Sequence, residues 1–168
     1  MPKWILEDDC LAPSGKLTVN YGGPNPFVIC QKIRETLRVV WEIETKDYWE
    51  RDFRWDNSAD PRTFFMRACV NKGIDARSKM FIEVVMQGKQ FADPTKRGEV
   101  TVTITGRMRT EYELNSAFKR LPIYRGFLWI YNKFFYYEVR RSWLKKKCAD
   151  KLESTWKAVR SILNMPSP

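Results

Sequence analysis

The clearest alternation of hydrophobic and polar residues runs from Glu99 to Thr110. From Val100 to Met108 every second residue is apolar or Gly, and the residues between them are Thr and Arg. A period of two predicts a β-strand that is buried on one face only. The Thr and Arg side chains are therefore expected on a solvated face, which is usual in antiparallel sheets.

Shorter runs of the same kind are bounded by Gly, Pro, Asn and Asp, the residues that end strands. They predict further strands at Trp4–Leu11, Lys16–Tyr21, Tyr48–Trp55, Thr63–Val70 and Met80–Gln87. The first two flank a turn at residues 13–15. The last three and the strand from Glu99 are spaced like hairpins, so we expect an antiparallel meander.

Two regions have helical spacing instead. Apolar residues recur on one face of Phe27–Trp41, which predicts a short helix. After Asn115 an apolar seam advances by three, four or seven residues. Its members are Ile123, Phe127, Ile130, Phe134, Tyr137, Leu144, Cys148, Leu152, Trp156, Val159 and Leu163. An unbroken helix over 123–163 would be roughly 60 Å long, so we expect it either to break or to project from the domain.

These elements predict one α+β domain over residues 1–168. Residues 1–114 would supply an antiparallel sheet of five or six strands and one short helix. Residues 115–168 would form a long helical segment packed on that sheet. The predicted early order is a strand into Gly22-Gly23-Pro24 followed by the helix Phe27–Trp41. The predicted meander from Tyr48 to Thr110 and the helix after Pro122 complete it.

This order resembles the helix-grip, or START-like, superfamily across most of the chain. The resemblance implies a curved sheet that wraps a C-terminal helix and encloses an apolar cavity. It rests on element order alone, so no functional residue is transferred. Six strands are predicted where those folds usually have seven, and one early helix where they often have two.

The resemblance implies that the aromatic half of the long helix lines the apolar cavity. Phe127–Val139 is apolar on nearly all sides, which predicts burial or contact with a ligand, a membrane or a partner. Burial is the simpler interpretation. Around it, the leading hypothesis is a non-enzymatic binding protein for an apolar or amphipathic small molecule. The predicted pocket residues are Phe53, Trp55, Phe64, Phe127, Ile130, Phe134 and Tyr137.

Charge adds a second hypothesis. Residues 115–168 carry 12 basic and 3 acidic side chains, whereas residues 1–114 carry 18 and 17. Lys133, Arg140, Lys147 and Lys151 recur on one predicted stripe, which would suit an anionic membrane surface or the phosphates of RNA. RNA or ribosome binding is therefore the alternative function. Arg141 lies on the apolar seam, where an Arg needs a carboxylate, access to water or a bound anion.

Catalysis is the third hypothesis, and nothing in the sequence favours it. The chain has no His, no recognisable catalytic motif and no Cys-x-x-Cys pair, so no metal or cofactor is expected. We find no signal peptide and no apolar run long enough to span a membrane, which predicts a cytoplasmic location. In that compartment the four cysteines are expected to be reduced.

The end of the chain predicts an oligomer. If the long helix continued past the sheet, Leu152, Trp156, Val159 and Leu163 would project an exposed apolar stripe. Such stripes usually meet a partner. Their near-heptad spacing makes a second copy of the same helix the simplest partner, so we expect a homodimer.

Overall fold

A six-stranded antiparallel sheet forms the body of the protein in the computed structural model. The model describes residues 3–93 and 95–166, without the side chains of Arg141, Leu144 and Lys145. The strands are β1 (Lys3–Asp9), β2 (Leu17–Pro24), β3 (Tyr48–Asp56), β4 (Arg62–Gly73), β5 (Ser78–Gln90) and β6 (Arg97–Glu113). The helices that accompany it make this an α+β fold, as the sequence predicted.

The strand order is β1-β6-β5-β4-β3, and β2 also pairs with β6. β1 pairs with the second half of β6, from Lys3 opposite Glu113 to Asp9 opposite Arg107. β2 pairs with the first half, from Leu17 opposite Ile104 to Pro24 opposite Arg97. The two predicted N-terminal strands, β1 and β2, therefore lie end to end along β6, and residues 10–16 form the loop that connects them.

Two helices cover one face of this sheet. α1 (Val28–Trp41) and α5 (Ala149–Ile162) contact each other, and their apolar faces share one core with the sheet. The core takes the alternate apolar residues of β4, β5 and β6, as the period of two predicts. α5 lies so close to β6 that a Cβ on Gly106 would meet Leu152 Cδ1 at 2.6 Å, so a larger residue at this position would displace the buried Leu152 side chain.

The other face of the sheet is exposed, and its charges balance. The Thr and Arg side chains of β6 lie on this open face, as predicted, except for Thr110, which is buried on the opposite face. As many acidic as basic side chains share it. The basic residues are Lys3, Arg54, Arg67, Lys79, Lys89, Arg97, Arg107 and Arg109, and the acidic residues are Glu7, Asp9, Asp52, Asp56, Glu83, Glu99, Glu111 and Glu113. Several of them pair across strands, so the face presents no dominant sign of charge.

The C-terminal helical segment continues without a non-helical break from Pro122 to Ile162. A short helix α2 (Ala117–Arg120) leads to α3 (Pro122–Tyr131), and a π turn at Asn132–Tyr136 leads to α4 (Tyr137–Ser142). A second π turn at Trp143–Cys148 leads to α5. A helix of this length exceeds the width of the domain, so one part of it projects, and that part is the beginning.

Candidate functional site

The projecting part is the aromatic segment, residues 117–139, whose large apolar side chains are exposed. Ile123 is 70% exposed, Phe127 66% and Phe135 71%. The other exposed members are Phe118, Leu121, Trp129, Ile130, Tyr131, Phe134, Tyr137 and Val139. The prediction that plain burial explains these aromatics was wrong, because the sheet and α1 offer this segment no apolar surface to pack against.

Only one stripe of the segment faces the domain, and that stripe is largely polar. It consists of Tyr124, Leu128, Asn132 and Tyr136, all half-buried, followed by Arg140, which is buried. The Asn132 side chain accepts a hydrogen bond from Tyr112 Oη at 2.8 Å. The helix therefore holds the domain with polar groups and turns its apolar groups outward, the reverse of an ordinary surface helix.

Tyr136 makes the second polar attachment. Its hydroxyl lies 2.5 Å from Asp75 Oδ2 and 3.1 Å from Ser78 Oγ, in the turn between β4 and β5. Burial raises the pKa of Tyr136, and its bond to Asp75 adds to the increase. Burial opposes ionisation of Asp75, but hydrogen bonds from Tyr136 and from the N–H groups of Arg77 and Ser78 outweigh it and lower the pKa of Asp75. This attachment therefore favours a neutral phenol beside an ionised carboxylate.

Arg140 makes the third attachment, and it corrects the predicted cationic stripe. The guanidinium is 7% exposed and forms an ion pair with Asp8 on β1. It also donates to Thr110 Oγ1 at 2.7 Å and to the carbonyl oxygen of Leu6 at 3.2 Å. A buried Arg needs such partners. Arg140 thus fastens the helix to the sheet and is unavailable to an external anion.

The remaining stripe residues do not form one anion-binding row either. Lys133 Nζ lies 4.6 Å from the ring centre of Trp129, and Lys147 Nζ lies 4.2 Å from that of Trp143. Lys151 is half-buried and pairs with Glu42 at 3.2 Å. The prediction for Arg141 concerns a side chain that is outside the described ones.

The first π turn, at Asn132–Tyr136, explains how widely spaced residues share the inward stripe. Residues four apart in a regular α-helix are displaced by about 40° around the axis, so four such steps from Tyr124 to Arg140 would rotate the stripe away from the domain. A π turn takes an extra residue per turn and reverses part of this rotation. The turn at Asn132–Tyr136 therefore keeps both ends of the stripe against the sheet.

The predicted pocket residues are divided between two places. Trp55 and Phe64 pack around Phe27, with ring centres 4.5 and 5.4 Å from it, and the half-exposed Phe53 lies 6.4 Å away on the same face. The four helical members, Phe127, Ile130, Phe134 and Tyr137, are exposed on the aromatic segment. The structure therefore brings the sheet members together around α1 and leaves the helical members outside that cluster.

One large depression lies on the open face, at the end of the sheet away from the Tyr136 and Arg140 attachments. Its volume is about 1290 Å3, and Arg54, Lys89 and Arg97 line it together with Asp56 and Glu99. Because its charges are mixed and it is wide open, it lacks the enclosed apolar character of a small-molecule site.

The cysteines differ from the prediction. Cys10, at the end of β1, and Cys148, at the end of the second π turn, form a disulfide with a Cα–Cα distance of 5.8 Å. Their separation of 138 residues conceals this pairing in the sequence. Cys30 and Cys69 are free and buried. Burial raises the pKa of the Cys30 thiol to about 12, with Glu50 adding to the effect, so this thiol is poorly nucleophilic.

The stripe that was predicted to project at the chain end is part of the protein's own core. Leu152, Val159 and Leu163 are buried, and Trp156 is half-buried with its indole N–H donating to the carbonyl oxygen of Thr18 at 3.3 Å. These residues cover β6, β2 and α1, so they are unavailable to a second copy. The apolar surface that could meet a partner is on residues 117–139 instead.

Comparisons with known proteins do not place the chain in a family. No protein-family model matches the chain, and no curated protein matches it. An uncharacterized protein from Rhizobium leguminosarum of known structure is 8% identical, with 98% of this chain and 99% of that chain covered, at a TM-score of 0.26. That score is too low for the likeness to bear on fold or function.

Within residues 3–93 and 95–166, no helix combines the length and the apolar character needed to cross a membrane. The same residues contain no group of three or more Cys, Asp or Glu side chains placed to hold a metal ion. The exposed aromatic segment is therefore the feature of this fold that most needs a functional explanation. Its apolar composition was visible in the sequence, but its exposure was not.

Proposed function

We propose that this protein binds the surface of a lipid bilayer, with the aromatic segment lying in the membrane interface. The observation that carries the proposal is the reversed polarity of that segment. Asn132, Tyr136 and Arg140 hold the sheet, while the apolar side chains point away from it. An apolar surface of this extent on one element is unusual for a protein surrounded only by water.

The kind of side chain favours an interface. Trp129, Tyr131 and Tyr137 combine an apolar ring with a polar group, and such residues concentrate where hydrocarbon meets water. Ile123, Phe127 and Phe134 supply the purely apolar surface. A helix also satisfies its own backbone hydrogen bonds, which an apolar environment requires.

The geometry favours a helix in the plane of the membrane. Attachments at Asn132, Tyr136 and Arg140 fix the C-terminal part of the segment and the residue after it to the domain, which leaves the outward side free to enter the interface. Interfacial helices of this kind bury their apolar side among the head groups and upper acyl chains. The Lys133 ammonium, placed over the Trp129 ring, is able to reach the head groups while its stem stays apolar.

The proposal replaces the enclosed apolar pocket as the leading hypothesis. The four helical residues of that pocket become membrane contacts. RNA binding by the basic stripe is less well supported, since Arg140 and Lys151 already have partners in the domain. Catalysis gains no support among the described residues.

The cytoplasmic location remains a prediction. The Cys10–Cys148 disulfide is the observation that bears on it, because disulfides persist mainly in oxidising compartments. Counting free thiols in protein quenched with acid directly from cells would test this: four free thiols fit the cytoplasm, and two fit an oxidising compartment.

Vesicle flotation tests the membrane proposal. The triple variant Phe127→Ser, Ile130→Ser, Phe134→Ser should lose roughly 100-fold in partitioning, since each partly inserted side chain contributes about 1 kcal/mol. Its thermal stability should stay near that of the wild type, because all three side chains are exposed. The matched control is Ile5→Ser with Val39→Ser, which changes exposed apolar residues on β1 and α1 and should leave partitioning intact.

Light scattering completes the test. Suppose that the wild-type protein does not float with vesicles but forms a dimer, and that the triple substitution dissociates this dimer. A second copy of the chain would then cover the segment. That result would overturn the proposal.

A further inference from the structure

The charge of this molecule is unevenly placed. The open face of the sheet carries equal numbers of acidic and basic side chains, as described above. The aromatic segment contains Lys119, Arg120, Arg125 and Lys133, with Glu138 as its acidic residue. The exposed aromatic surface therefore has a net positive charge along its own helix.

We infer that the membrane partner is an anionic phospholipid surface, which four cations at the base of the aromatic segment select. We call these residues the cationic collar: Arg77, Arg120, Arg125 and Lys133. The inference rests on the proposed membrane binding and adds the class of lipid.

Arg77 reaches the collar from the sheet. It lies in the β4–β5 turn, whose Asp75 bonds to Tyr136, and its guanidinium lies 5.3 Å from the ring centre of Tyr112. Tyr112 in turn bonds to Asn132. Arg77 is therefore linked through Tyr112 to the π turn that contains Lys133, although 56 positions separate Arg77 from Lys133 in the sequence.

Arg120 and Arg125 flank the beginning of the segment. Arg120 Nε donates to the carbonyl oxygen of Leu114 at 3.4 Å, which holds its stem at the end of β6. Arg125 is exposed on α3. Among the described side chains, no carboxylate forms an ion pair with any of the four collar cations.

Membrane insertion would place these cations at the depth of the lipid phosphates. Guanidinium groups bind phosphate oxygens in pairs, and each Lys or Arg near an anionic membrane surface strengthens binding by about fivefold, equivalent to about 1 kcal/mol. Arg140 cannot contribute, because its guanidinium already forms an ion pair with Asp8 and a hydrogen bond to Thr110. The collar cations have no such ion-pair partner within the described part of the domain and are therefore available to lipid phosphates.

The experiment compares partitioning onto vesicles of phosphatidylcholine alone and of phosphatidylcholine mixed with phosphatidylglycerol. Wild-type protein should prefer the mixed vesicles by at least about 50-fold, and high salt should remove most of that preference. The collar variant Arg77→Gln, Arg120→Gln, Arg125→Gln, Lys133→Gln should bind both vesicles equally, at the wild-type level for phosphatidylcholine. The charge-matched control is Lys16→Gln, Lys32→Gln, Lys89→Gln, Arg97→Gln, which should keep the preference.

The outcomes separate the inference from the proposed function. Equal binding of the wild type to both vesicles overturns the lipid selectivity and leaves membrane binding in place. Binding to neither overturns both. A collar variant that folds, by its thermal melt, and keeps the wild-type preference also overturns the inference. If the collar variant fails to fold, Arg125→Gln, which changes one exposed side chain of the collar, should reduce the preference by about fivefold, and an unchanged preference overturns the inference.

Discussion

α5 and the aromatic segment belong to one continuous run of helix, yet the first is buried against the sheet and the second projects from it. The aromatic segment is the more apolar of the two. α5 places Leu152, Thr155 and Val159 on one face, at helical spacing, and polar residues on the other. A helix packs where one apolar face matches the surface below it, so the position of apolar residues decided burial here and their number did not.

The polar residues of the two regions also differ in function. In α5, Thr155 Oγ1 accepts a hydrogen bond from the indole N–H of Trp41 at 3.1 Å, so this buried donor has a partner within the core. In the aromatic segment, Asn132 and Tyr136 hold the whole helix to the sheet edge. An all-round apolar helix kept outside the core needs such polar contacts to fix its orientation on the domain.

Leu152→Ala should give the largest difference between the two regions. Leu152 is 0% exposed and lies directly over Gly106, so the substitution should destabilise the fold by about 2–5 kcal/mol. Phe127→Ala on the aromatic segment should change stability by under about 0.5 kcal/mol, because that ring is exposed. Urea unfolding measures both, and similar losses would contradict the assignment of core and projecting halves.

Arg140→Ala tests the junction between the regions. Removing the guanidinium breaks the ion pair with Asp8 and takes one hydrogen bond each from Thr110 and the Leu6 carbonyl. We expect a loss of about 2–3 kcal/mol, less than for a fully buried pair because Asp8 is partly exposed. Amide hydrogen exchange should accelerate along residues 117–139 more than in α5. Lys133→Ala, on the outward side, is the control and should leave both measurements unchanged.

Thr155→Val examines α5 alone. It leaves the buried Trp41 indole N–H without an acceptor, so stability should fall by about 1–2 kcal/mol in thermal or urea unfolding. Ser154→Ala is the matched control, since Ser154 also bonds to a carbonyl four residues earlier but is exposed. A Thr155→Val protein as stable as the Ser154→Ala protein would disprove this contribution.

The smallest expected effect concerns acid. The pKa of Asp75 is lowered in the folded protein, so its stabilising contribution is complete above the pKa of an unfolded Asp, about 3.9. It is lost as pH falls from that value through the lower, folded pKa. The melting temperature of Asp75→Asn should therefore fall less steeply than that of the wild type below about pH 4. Parallel curves would show that the Tyr136 attachment does not depend on this carboxylate.

Local pattern was sufficient for most of the sheet. The strand predicted at Glu99–Thr110 is the centre of β6, and Ile104 is buried while Thr103 lies on the open face. The helix predicted at Phe27–Trp41 begins one residue later. These predictions succeed because the burial of alternate or helically spaced side chains is encoded in each element by itself.

Local periodicity could not predict contacts between residues that are far apart in the sequence. Arg140 meets Asp8 across 132 positions, and Cys10 meets Cys148 across 138. Both depend on β1 lying against the second half of β6, which no local period specifies. The prediction that the apolar stripe at the chain end projects from the domain was wrong for the same reason. Local spacing does not specify which end of the long helix the sheet covers.

The sequence by itself determined the α+β class, the sheet-forming runs, the helical periods and the basic, aromatic composition of the last third. These properties follow from the spacing of neighbouring residues. The tertiary structure decided which half of the long helix became core, because the apolar face of α5 fits β6 at Gly106 and fits α1 at Thr155. With that surface occupied, the polar stripe at Asn132, Tyr136 and Arg140 held the aromatic half at the sheet edge with its apolar side outward.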